Sequence, residues 1–243
     1  MFFLNMHSLR SGFFAIICSL CLTMLPSLVV AQDVMISKTL IAPNLDLSIK
    51  YFSRELTPDG VLHETSYEEK MLRRSGHVWT WRVLPNLSTN DTTNSKHGHK
   101  DFNYTQLPRH INLEGNKMRV NFINERAQQI IAIASTEYEN VNFDGSWLNA
   151  FFLIDPQLVA VIPVSSRIST AANSRWHEIE RNGLFQRVLW DARLSIPLII
   201  ETGDRKRGLL QRITVSPNTK LTQDLPWLHV QGFTQKEYSD FLD

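Results

Sequence analysis

Apolar and polar residues alternate from Leu45 to Tyr51: Leu45, Leu47, Ile49 and Tyr51 are interleaved with Asp46, Ser48 and Lys50. A period of two puts one set on each face of a half-buried strand. Thr57-Pro58-Asp59-Gly60 ends it with turn chemistry: proline presets φ, aspartate bonds nearby backbone and glycine accepts positive φ. A second strand is expected from Val61 to about Arg73, polar over much of its length. Ser75-Gly76 turns the chain again into His77–Val83, with Trp79, Trp81 and Val83 on one side. Leu45 to Pro85 thus reads as an antiparallel meander of three long strands whose apolar face must be buried.

Downstream, Asn86 to Asp101 is a polar insert that reads as a loop, and Phe102 to Leu113 has no clean period, with Pro108 arguing against a continuous helix. Met118, Val120 and Phe122 resume the alternation, and Gln129 to Ala134 is a short apolar strand. Phe143 to Phe152 suits a helix. Gln157 to Val164 is an apolar run of a length suited to a buried strand. Arg175 to Arg181, Leu184 to Trp190, Leu198 to Thr202 and Leu209 to Val215 read as four further strands. Thr234 with Glu237 three residues on forms a capping-box pattern, so a helix is expected over Thr234 to Leu242. Asp33 to Ala42 suits either a short helix or a first strand. About nine to eleven strands with few helices, and no strand–helix alternation, give the antiparallel α+β class.

The first 31 residues change the picture of the whole. Arg10 precedes the apolar run Phe13 to Leu25, Pro26 breaks it, and Val29-Val30-Ala31 offers small residues for cleavage. This is the pattern of a secretory signal peptide removed after Ala31, leaving residues 32–243 as one β-rich domain. The run is short for a membrane-spanning helix. Both cysteines, Cys18 and Cys21, leave with it, so the mature chain is expected to have no disulfide, thiol nucleophile or thiolate ligand. Arg10 leaves as well, so the 25 basic residues fall to 24, matching the 24 acidic ones. That balance gives no electrostatic footprint for nucleic acid.

Catalytic signatures are missing. No G-x-S-x-G elbow, Walker loop, dinucleotide fingerprint or H-E-x-x-H occurs, so an enzyme is not expected and no cofactor is implied. His97-Gly98-His99 is the one constellation suited to a metal: alternate histidines point the same way on an extended segment, and divalent metals accept imidazole. Two ligands leave such a site incomplete. The six tryptophans read singly as core residues and together as the lining of an apolar cavity. Tyr51, Trp79, Trp81, Trp176 and Trp190 are the candidate ligand-binding residues.

The meander ending in Gly76-His77-Val78-Trp79-Thr80-Trp81-Arg82, with the later stretch Trp190-Asp191-Ala192-Arg193-Leu194-Ser195-Ile196-Pro197-Leu198, resembles the lipoprotein-carrier superfamily, which includes a sigma-factor regulator. The resemblance implies a half-open antiparallel β-barrel plugged by short helices, with an apolar interior that accepts acyl chains. The function expected on all these grounds is a periplasmic binding or accessory protein that holds a lipid, an acyl chain, a lipoprotein or a partner polypeptide, peripheral to a membrane at most. The insert at 86–101 and the segment from Trp227 onward depart from the carriers. The alternative reading is a metal-handling or redox accessory protein using His97 and His99.

Overall fold

The computed structural model describes residues 42–84, 103–169 and 171–241. Eleven strands form one sheet. They are β1 Leu45–Leu56, β2 Leu62–Arg74, β3 His77–Val83, β4 Arg109–Glu114, β5 Lys117–Asn124, β6 Gln129–Ile133, β7 Ser174–Arg181, β8 Leu184–Asp191, β9 Ile196–Asp204, β10 Leu209–Pro217 and β11 Thr234–Glu237. Their order across the sheet is β11-β6-β5-β4-β3-β2-β1-β10-β9-β8-β7. Every pairing is antiparallel except that of β11 on β6. The expected meander is the heart of the sheet, and β1 joins it to the second, reversed run of hairpins through pairs such as Ile49 with Val215.

Helical cover is thin: α1 Trp147–Phe152, α2 Pro156–Val161, α3 Pro226–His229 and 3-10 turns at Ser135–Val141 and Tyr238–Phe241. Ser146 caps α1 by accepting from the Asn149 amide, and Leu153, at φ 68°, ends it. The helix expected over Phe143 to Phe152 therefore begins later, because Asp144 receives the Ser146 amide and the Asn149 side chain in a turn ahead of the cap. The strand expected over Gln157 to Val164 is instead α2. Asp155 caps it through the Gln157 amide and Pro156 stands in its first turn, where its missing N–H costs nothing. The helix expected over Thr234 to Leu242 is β11 followed by a 3-10 turn: the Thr234 amide donates to Gln128 O, and the free edge of β6 outcompetes the capping-box pattern.

The register sorts side chains onto two faces. On the inner face Leu45, Leu47 and Ile49 of β1 pack with Met71, Val78, Ile111, Val120, Phe122, Ile131, Ile196 and Val215, covered by Phe143, Phe151 and Phe152. Ile154, Val159 and Ile162 extend that cover over Val188 and Ile200. Each fully buried aliphatic side chain contributes about 1.5–3 kcal/mol, so this layer dominates the stability. The outer face carries a smaller cluster, Leu72, Trp79 and Ile123, under Val230, Trp227 and Phe233.

Arg73 ties the cover to the sheet. Its side chain is fully buried and has no carboxylate partner among the described residues. It donates to the carbonyls of Leu194 at 2.7 Å, Pro43 at 3.0 Å, Ser195 at 3.2 Å and Phe151 at 3.5 Å. The guanidinium also lies 5.0 Å from the Phe151 ring centre. Burial pulls its pKa down to about 10, which leaves it charged at neutral pH.

Candidate ligand groove

The helices cover one end of the inner face, where the buried stretches of β1, β2, β8, β9 and β10 lie, and the hairpin ends project beyond them. Three hollows follow that boundary. The first, about 120 Å³, lies between Tyr51, Tyr67, Ile200 and Ile213. The second, about 50 Å³, is bounded by Tyr51, Ile213, Glu69, Thr80, Arg109 and Leu153. The third, about 210 Å³, takes in Glu69, Thr80, Arg109, Arg82, Tyr104 and Phe122. Shared walls join them: Tyr51 and Ile213 stand between the first and second, Glu69, Thr80 and Arg109 between the second and third, and Tyr67 borders both the first and the third.

At one end of the row Tyr51, Tyr67, Ile200 and Ile213 are joined by Thr65, Thr202, Gln211 and Arg212, and the middle carries Glu69 and Arg109. Tyr51 stacks on Tyr67 with ring centres 4.5 Å apart and planes at 15°. Arg82 lies 4.0 Å over the other partner of that stack, the Tyr67 ring. Burial, and then the charge of Glu69, push the Tyr51 phenol well above its ordinary pKa. Burial followed by Glu69 does the same to Tyr67. Both phenols are therefore neutral donors at physiological pH. Ser53 and Thr65 hydroxyls meet at 2.6 Å beyond them.

The five tryptophan and tyrosine candidates divide between the faces. Tyr51 lines the row, and Trp190 packs between the two inner clusters. Trp79 and Trp81 are not beside Tyr51: Trp79 pairs with Leu72 while Met71 pairs with Thr80, which sets both tryptophans on the outer face. Trp79 is buried there, and Trp81, packed on the same cluster, only borders the third hollow. Trp176 pairs with Leu189, on the side opposite Val188, and lies under the Arg167 guanidinium at 4.1 Å. Alternation separates two faces without saying which is concave, and here both are covered.

Glu69, Tyr67, Arg109 and Ile213 line the row and were not singled out from the sequence. Their signal was available for β2, where Tyr67, Glu69, Met71 and Arg73 occupy one phase with Tyr51. His97 and His99 lie outside the described residues. Among the described residues no group of three histidine, cysteine or acidic side chains is placed to hold a metal ion. His63 and His77, on neighbouring strands, are far apart in register: His63 pairs with Glu55 and His77 with Arg74.

No protein-family profile and no curated protein matches the chain. Solved structures do. PNGF-II is matched at 12% identity and TM-score 0.34, over 82% of this chain and 33% of that one. The MucA/MucB complex of Pseudomonas aeruginosa is matched at 12% identity and TM-score 0.35, over 82% and 60%. A LolA superfamily protein from Nitrosomonas europaea is matched at 13% identity and TM-score 0.30, over 79% and 94%. The chain thus spans a third of the first and less than two thirds of the second.

Proposed function

We propose that this is an exported binding protein that holds a lipid or acyl chain along the inner face of its sheet, in the periplasm. Residues 1–31 act as a cleaved signal peptide and the remainder as one β-rich domain. The observation that carries the reading is the row of hollows with shared walls, from Ile200 and Ile213 past Tyr51 to Tyr104 and Phe122. An extended apolar chain matches its shape, and the neutral phenols with Arg109 and Glu69 offer partners to a polar group midway. No helix among the described residues is long and apolar enough to cross a membrane.

Mass spectrometry of the gently purified protein tests this directly. The expected result is co-purifying lipid that is lost in Ile213→Arg, with the circular dichroism spectrum unchanged. Wild-type protein that carries no lipid and binds no fluorescent fatty acid would overturn the proposal.

A further inference from the structure

Residues 218–237 form a strap over the outer face. It is fixed at one end where the Asn218 amide donates to Asp46 O, the Thr222 amide and hydroxyl donate to the Asp46 carboxylate, and Arg74 donates to Thr222 O at 2.8 Å. It is fixed at the other by the ladder of β11 on β6. Between these points no backbone ladder to the sheet holds it. It rests on side chains: Val230 and Phe233 on the Leu72–Trp79–Ile123 cluster, and Trp227 on two histidines.

Those histidines make an unusual seat. His77 of β3 and His110 of β4 bring Nδ1 and Nε2 to 3.0 Å of each other. Their rings stack, with centres 5.3 Å apart. The Trp227 ring lies parallel over both, 4.9 Å from His77 at 3° and 5.6 Å from His110 at 10°. A nitrogen–nitrogen hydrogen bond needs one N–H and one lone pair. The pair therefore tolerates one imidazolium, and a second proton turns two N–H groups and two positive charges on one another. The charged groups around it do not offset this. Burial lowers the His77 pKa, and Glu114 of β4, which accepts from Asn112 and pairs with Arg119 of β5, opposes that only in part. Arg74 of β2, opposite His77, is engaged by Asp46. In the strap, Asp224 is paired with His229. The buried partner, His110, is held down to about 4 by burial first and by His77 second.

We infer that the His77–His110 pair is an acid-sensitive fastening for the strap. Double protonation ejects Trp227 and frees the span between Thr222 and Thr234 while the sheet remains folded. This inference is independent of what the groove on the other face binds.

Hydrogen exchange of the whole protein, followed by mass spectrometry from pH 7 to pH 4 and corrected for the intrinsic rate, tests it. Protection in peptides covering 224–233 is expected to fall by up to about tenfold per pH unit between the free-imidazole value of about 6.5 and the folded value of about 4, while peptides in β1 stay more protected than these at every pH. In His110→Gln the loss of protection with acid should vanish. Trp227→Ala should expose 224–233 already at pH 7 with an unchanged far-ultraviolet spectrum, which keeps the test valid if the histidine variant does not fold. The inference is overturned if 224–233 stays protected to pH 4, if it opens in the same step as β1, or if His110→Gln opens with acid as the parent does.

Discussion

Phe185 occupies the space that a side chain at Gly203 would need. The two residues are paired across β8 and β9, and a Cβ at 203 would stand 2.6 Å from the Phe185 ring and closer still to the Leu209 carbonyl. Glycine is required here by close approach of neighbours, with its φ in the ordinary range. Gly203→Ala is expected to destabilise the protein by about 1–3 kcal/mol, as overpacking does, read from urea unfolding. Adding Phe185→Ala relieves the ring contact but not the Leu209 backbone, so rescue should be partial.

Arg73 should be among the least replaceable residues of the fold. Arg73→Met removes the donors that four backbone carbonyls accept from and is expected to cost about 3–5 kcal/mol. Lysine supplies the charge without the planar fork, so Arg73→Lys should recover less than half of the loss. Thermal unfolding of the three proteins side by side checks both statements.

Stability should fall with acid in a window set by His110. Its pKa is about 6.5 in the unfolded chain and about 4 in the folded one. The unfolded state therefore takes up the proton first, and stability present above pH 6.5 is lost as pH drops toward 4. The full shift corresponds to about 3 kcal/mol. Urea midpoints measured across this range should slope upward with pH, and His110→Gln should flatten the slope. A parent protein equally stable at pH 7 and pH 4.5 would contradict the burial of a neutral His110.

Alkali should act through the groove. The Tyr51 and Tyr67 phenols are raised above 10, so the folded state keeps protons that the unfolded chain releases. Their contribution is complete below pH 10 and is lost above it. Ultraviolet titration is expected to show two tyrosines that ionise only on unfolding, and Tyr51→Phe should remove one of them.

The strap has a buried ion pair at its first anchor. Arg74 meets Asp46 at 2.8 Å with both side chains nearly buried. Asp46→Ala leaves that guanidinium with carbonyl partners but no counter-charge and takes the acceptor from the Thr222 donors, for an expected loss of about 3–5 kcal/mol. Proteolysis in native buffer should then cut first between residues 218 and 233.

The sheet was readable in the sequence wherever a strand has one buried and one open face. Leu45, Leu47 and Ile49 announce β1 because their neighbours Asp46, Ser48 and Lys50 face the other way. Short apolar runs carry no such phase: Leu158, Val159, Ala160 and Val161 suit a strand or a helix, and Asp155-Pro156 ahead of them decided for the helix. The histidine fastening was beyond reach because its partners are 33 residues apart and meet only through the β3–β4 register. Trp227 sits in no periodic segment. Its place depends on two anchors, at Asp46 and on β6, that belong to distant parts of the chain.

β1 pairs on one side with its immediate successor and on the other with β10, so that Leu47 meets Met71 and also Pro217. The middle of the sheet is therefore completed by almost the last strand to be synthesised. Hairpins can form locally, but the two halves join only when residue 217 is available, and closing so long a loop precedes any reward from that contact. Folding should be slow and late, with β1's second edge left open until then. An unoccupied strand edge of that length is a template for wrong partners until β10 arrives to cover it.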